Sequence, residues 1–173
     1  MIRGEKIILR TVHEEDLDML FGLWSDVENR GEHYPINVPS SVDFKKQFHE
    51  HGFMEDAQGT FLICADDRIV GSISFFKAMY FDGREIAYIL FDQSSRSKGF
   101  MTEALSLLVT YLFNTKKINR LQLTIIPGNV ASKRVAEKCG FTLEGVLRGA
   151  IFHHGMNTDI ELYSLLRTDV LGS

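Results

Sequence analysis

Cysteine, proline and long apolar runs are scarce in this chain. Its two cysteines, Cys64 in an apolar run and Cys139 before a glycine, lie at no metal-ligand spacing and have no evident partner. That excludes a disulfide framework, gives no reason to expect a metal, and leaves two reduced, packed thiols. No stretch approaches a membrane span, and the opening MIRGEKIILR holds an apolar run of only three residues between charges, far short of a signal-peptide core. A soluble, cytoplasmic protein is expected. Also lacking is any block of five or six Lys/Arg, and with a formal net charge of -4 there is no general electrostatic reason to bind nucleic acid. The GxxxxGK[ST] phosphate loop is absent, which counts against a nucleotide such as ATP. No repeat, low-complexity tract or interdomain linker interrupts the 173 residues, which are 45% hydrophobic. That length suits one compact domain spanning 1–173.

What is present reads as alternating strands and helices. KIILR (6–10) predicts a short strand, and Thr11-Val-His-Glu14 has the form of a capping box. In the helix that follows, Leu17, Leu20, Phe21 and Trp24 fall on one apolar face ending near Ser25. NRGEHYPINVPSS, with two of the three prolines, is a loop, and a weaker second helix is expected from about Val42 to Gly52. TFLICA (60–65) and RIVGSISFF (68–76) around Asp66-Asp67 form a hairpin, and REIAYILF (84–91) after Asp82-Gly83 extends it to a three-stranded meander. Thr102 to Phe113 repeats the helical period, LQLTII (121–126) is a strand, and Pro127-Gly128-Asn129 breaks it ahead of a helix from about Val130 to Cys139 closed by Gly140. Phe141 to Arg148 and Asp159 to Leu166 are two more strands, around the loop HHGMN. The order is βααβββαβαββ, mixed α/β with one βαβ crossover.

The chemistry gathers at that crossover. In SSRSKGFMTEAL (94–105) a strand ends, Arg96 and Lys98 bring positive charge, Gly99 permits close backbone approach, and a helix begins. The free N–H groups and dipole of a helix N-terminus make an anion site, and a phosphate group is the expected ligand. A bare helix entry with two solvated basic residues would read the same way. The next unit, PGNVASKRVAEKCGF (127–141), would splay its strand from the one before the glycine loop and open a slot between them.

These residues resemble the GCN5-related N-acetyltransferases (GNAT), and within them the RimJ/RimL-like group. The resemblance is carried by EIAYILFDQSSRSKGFMTEAL, which matches the family's strand and Q/R-x-x-G-x-G/A acyl-CoA loop, and by NVASKRVAEKCGFTLEGVLRG, and it extends from KIILRTVHEEDL to DIELYSLLR. It implies an α/β (α+β) GNAT fold with a central, mostly antiparallel seven-stranded sheet and about four helices. It further implies acetyl-CoA as co-substrate, and N-acetyl transfer by direct attack of a primary amine in a ternary complex.

Carried onto this chain, the resemblance has the backbone N–H groups of Arg96, Ser97, Lys98, Gly99, Phe100, Met101 and Thr102 hold the coenzyme A pyrophosphate. A side chain at a helix N-terminus can point into the core while its backbone N–H still faces the phosphate, so Met101 need not block the site. Asn129 bonds the pantetheine arm, the strand at Leu90 and Phe91 pairs with it and offers an N–H to the thioester carbonyl, and Arg134, Lys138 or Lys133 meet the adenosine phosphates. Glu85, fourteen residues before the loop glycine, matches the position of a catalytic glutamate. Pairing with a neighbouring strand's Lys or Arg is its alternative. The tyrosine acid of many relatives is Val135 here, which leaves that role vacant. Ser132, three after Asn129, is the serine of RimL-like enzymes that bonds the sulfur, with helix capping as its alternative, and Tyr163 is the runner-up acid. The RimL-type glutamate position is Ile151, with His153 and His154 nearby. Acceptor recognition would come from the loop 29–41 and from the final hairpin, and His33, Tyr34, Glu28 and Glu32 could line a site for a cationic amine, with solvated loop residues as the favoured alternative. The acceptor is a small amine or a protein N-terminus, and a homodimer is a further expectation, since relatives commonly form one. An acyl-CoA-binding module without catalysis is the competing reading.

Overall fold

The structure is a computed structural model, which describes residues 1–27, 31–33, 38–78 and 82–172. In chain order the elements are β1 (Ile2–Arg3), β2 (Ile8–Thr11), α1 (Leu17–Ser25), α2 (Ser41–His51), β3 (Gly59–Ala65), β4 (Arg68–Lys77), β5 (Gly83–Leu90), α3 (Phe100–Thr115), β6 (Arg120–Ile125), α4 (Val130–Lys138), β7 (Thr142–His153), β8 (Met156–Leu166) and α5 (Arg167–Leu171). Single 3-10 turns precede α1 and α3. The strands form one sheet in the order β1-β2-β3-β4-β5-β6-β8-β7, antiparallel throughout except where β5 meets β6. Eight strands and five helices replace the expected seven and about four. The additions are two-residue β1, which pairs with β2 outside the first expected strand, and the five-residue helix that closes the chain.

Two apolar layers sandwich the sheet. On one face α3 lays Leu105, Leu108, Leu112 and Phe113 against Ile73, Ile86, Leu121 and Leu123, all buried. On the other, Leu20 of α1 and Phe44 of α2 close over Leu62, with Trp24 edge-on to Phe44. Each fully buried side chain of this kind stabilises the fold by roughly 1.5–3 kcal/mol against exposure.

Some expected boundaries shift for local reasons. Thr11 cannot cap α1, because it is the last rung of β2 and pairs with Phe61. The Asp16 carboxylate instead accepts from the His13 N–H at 2.8 Å. The tail strands run longer than expected, and HHGMN is not a loop. Only His154 and Gly155 turn the chain, both at positive φ, the two-residue geometry that matches strand twist. At the end of α4, Phe141 N–H bonds the Ala136 carbonyl and Gly140 N–H that of Glu137, with Gly140 at φ 83°. This is a Schellman ending, and it needs the glycine.

Candidate active site

The crossover opens a fork in the sheet. β5 and β6 run parallel for three rungs, Gly83 with Arg120, Arg84 with Leu121 and Glu85 with Gln122, and pairing stops there. Beyond that rung β5 is held by β4 alone, through Leu90 opposite Gly71. Side chains alternate along the strand, so Tyr88 and Leu90 face the α3 core, whereas Glu85 shares the opposite face with Phe91, which packs with the α1–α2 cluster. Backbone groups alternate too. Phe91 donates its N–H to the Val70 carbonyl at 2.9 Å, so it has none to offer a ligand, and by the ladder's alternation the Leu90 N–H turns away from β4 toward the fork.

Glu85 sits at the crotch, on the last rung. Gln122 Nε2 donates to its Oε2 at 2.8 Å and Thr124 Oγ1 to its Oε1 at 2.7 Å, so both recorded partners are neutral groups of β6 rather than a Lys or Arg. With its amide nitrogen on the carboxylate, buried Gln122 is left with Oε1 lacking any hydrogen-bond partner among the described residues. On the other face the Tyr88 hydroxyl spans the fork and donates to the Ser132 carbonyl at 3.3 Å. Burial pushes the Tyr88 phenol up to about 12. Tyr88, Gln122 and Thr124 carry no local signal in the sequence, because only the geometry of the fork brings them to Glu85 and Ser132.

The glycine loop lies on the same α3 side. Ser97 at φ 61° and Gly99 at φ 85° are both left-handed, and the first bond of α3 is Glu103 N–H to the Gly99 carbonyl at 3.0 Å. The N–H groups of Phe100, Met101 and Thr102 therefore have no acceptor within the helix, and turns of alternating hand ahead of them gather further donors. Phe100 and Met101 are buried, with their side chains in the core. A Cβ added at Gly99 would point at Lys6 Nζ, 3.8 Å away, so the turn between β1 and β2 brings a cation to this loop that sequence distance concealed. Lys98 Nζ stands 5.9 Å from the Phe100 ring centre. Glu103, an acid in the same first turn, is drawn aside by the backbone N–H groups of Glu5 and Lys6.

Asn129 caps α4 by accepting from the Ser132 N–H at 3.1 Å, which places Ser132 in the first turn beside the fork. Lys133 is committed to Glu161 at 2.7 Å, while Arg134 and Lys138 are exposed on α4. Tyr163 is buried in β8, one strand beyond β6, with its hydroxyl 3.4 Å from Glu161 Oε2. Its phenol is pushed up by burial and then by the Glu161 charge. The Tyr163 hydroxyl thus bonds within its own strand, whereas that of Tyr88 reaches across to α4. His33 is half-buried, and the neighbouring Glu32 carbonyl is contacted by both His153 and His154. Tyr34 and Glu28 lie outside the described residues. Among the described residues no cluster of His, Cys, Asp and Glu is placed to hold a metal ion, and no helix is long and apolar enough to cross a membrane.

Residues 6–142 match the family model for the acetyltransferase (GNAT) domain. The chain is 30% identical to a probable N-acetyltransferase, YjcK, of Bacillus subtilis, over 98% of each chain. It is 29% identical to the ribosomal-protein-serine acetyltransferase of Escherichia coli, over 76% of this chain and 74% of that one. Among solved structures, spermidine N-acetyltransferase from Vibrio cholerae in complex with CoA and spermine superposes with a TM-score of 0.82 over 96% of this chain and 98% of that one. At 18% identity this likeness bears on fold alone.

Proposed function

The chain belongs to the GNAT acetyltransferase family, and from that premise we propose that it transfers the acetyl group of acetyl-CoA to a primary amine that approaches Glu85 at the fork. The observation that carries this reading is the last rung. Glu85 holds a carboxylate between two neutral donors, next to Gln122 Oε1, which has no partner among the described residues, and such an acceptor-rich crotch suits an ammonium group. The loop fits the donor's pyrophosphate: it has left-handed turns, N–H groups free of the helix, Lys6 beside Gly99, and no Cβ in the way.

Acetyl-CoA bound there supplies an activated acyl group. Arg96 to Thr102 hold its diphosphate, and the Leu90 N–H presents a hydrogen bond to the carbonyl in the position where negative charge develops. Glu85 takes the proton that the ammonium must lose before attack. Holding the two reactants together on the open arm of β5 removes much of the entropic part of the barrier. Similarity to a ribosomal-protein-serine acetyltransferase supports a protein acceptor, with a small amine as the other class to test.

Thiol release from acetyl-CoA, measured against N-terminal peptides and polyamines, tests the reading. Turnover is expected with at least one acceptor, and Glu85→Gln lowers kcat/KM by about 10²–10⁴. CoA binding without turnover on any amine, unaltered by that substitution, would instead make the chain a non-catalytic acyl-CoA-binding module.

A further inference from the structure

We propose that the Tyr88 hydroxyl donates a hydrogen bond to the sulfur of the acyl donor and stabilises the negative charge this sulfur gains when the acetyl group leaves it. The proposal rests on the acetyl-transfer reading above. It starts from an imbalance in that site. As the C–N bond forms and the C–S bond breaks, the electron pair of the C–S bond passes to sulfur. Over the whole reaction an ammonium gives up two protons, of which one ends on the thiol and one in solvent. Glu85 serves the nitrogen side. On the sulfur side, position 135 on α4 is a valine and offers no donor, which leaves the hydroxyls of Ser132 and Tyr88 at the first turn of that helix.

Tyr88 offers one from the opposite wall. Its ring packs in the α3 core and its hydroxyl crosses the open part of the fork to the first turn of α4, the turn that carries Ser132. At 3.3 Å the bond to the Ser132 carbonyl is long, so giving it up for a charged acceptor costs little. The phenol stays protonated through the neutral range, which makes it a standing donor, never a competing base. Cys139 is the titratable group whose charge bears on this phenol, and burial pushes its own thiol up, away from ionisation in the neutral range. Glu85 lies on the other face of β5. A donor fixed in a site screened from water is worth far more to a developing charge than one in solvent.

Binding of CoA and of desulfo-CoA, measured by calorimetry from neutral to alkaline pH, isolates the sulfur contact without turnover. Wild-type protein is expected to favour CoA increasingly as its thiol ionises. Tyr88→Phe loses about 10-fold of that preference and binds desulfo-CoA as before, while kcat falls about 10²-fold with KM for acetyl-CoA little changed. If Tyr88→Phe weakens both ligands alike, or neither, the hydroxyl is structural and the proposal fails. Should that variant not fold, 3,5-difluorotyrosine at position 88 keeps the shape and lowers the phenol's pKa. The preference for CoA must then vanish at a lower pH than in wild type, and an unchanged profile overturns the assignment. Absence of thiol release with every amine would sink the acetyl-transfer reading, and would be told apart from failure at Tyr88 by an intact CoA preference.

Discussion

At the scale of single residues, Arg10 and Asp16 form a bidentate ion pair. The guanidinium meets both carboxylate oxygens, at 2.7 and 2.8 Å, and Asp16 also accepts the His13 N–H while only 5% exposed. The hydrogen bond from Arg10 holds the Asp16 carboxyl below its ordinary range, against the opposing effect of burial, and raises Arg10 in return. A carboxyl depressed in the folded state contributes stability that is present above its unfolded value and lost as pH falls through the folded one. Asp16→Asn should therefore lose about 2–4 kcal/mol near neutral pH, and its stability should decline less steeply below about pH 4 than that of wild type. Urea unfolding across that range checks this, and parallel acid limbs for the two proteins would refute it. The sequence showed a hydroxyl and a carboxylate three residues apart at Thr11 and Glu14, but the same spacing recurs at His13 and Asp16. Which pair acts depends on where β2 ends, and that is set by its pairing with Phe61, fifty residues away.

At the scale of elements, β5 decides the chemistry. One half of it is clamped between β4 and β6, and the other half has only β4. Gly71 makes that attachment close, since a Cβ there would collide with the Ile89 carbonyl, a backbone atom that cannot swing aside. Gly71→Ala should therefore push the open arm away, at about 1–3 kcal/mol of stability. Hydrogen exchange should quicken at Ile89 to Phe91 far more than at Gly83 to Glu85, and CoA should bind more weakly. Equal exchange along the whole strand would show that β5 moves as one piece. The strands, the crossover and the glycine loop were legible in the sequence because each is a local pattern of period and punctuation. Glu85 and Ser132 were legible as positions, but not their partners. Gln122 and Tyr88 enter the site only because two strands part after three rungs, and no local signal records where a ladder stops.

At the scale of the whole molecule, the last hairpin reaches back to the segment after the first helix. His153 and His154, with ring centres 4.3 Å apart, both point Nε2 at the Glu32 carbonyl, at 2.7 and 3.2 Å. A carbonyl only accepts, so each Nε2 carries the hydrogen in this arrangement. The hairpin can reach that far because β7 and β8 continue past the rest of the sheet, with Gly149 at φ 59° relieving the bulge between Leu147 and Ile151. Residues 31–33 are thereby tied to the end of the chain, over 121 positions of sequence. If that segment helps receive the amine, releasing the clasp should affect the acceptor and spare the acyl donor. His153→Ala with His154→Ala is expected to raise KM for the acceptor about 3–10-fold, with KM for acetyl-CoA unchanged, because ordering the segment then falls to the binding step. Two exposed hydrogen bonds contribute roughly 1–2 kcal/mol together, so Tm should drop by only a few degrees. Exchange at residues 31–33 should accelerate in step with the KM. An acceptor KM that stays fixed while exchange accelerates would show that the clasp steadies the loop without serving recognition.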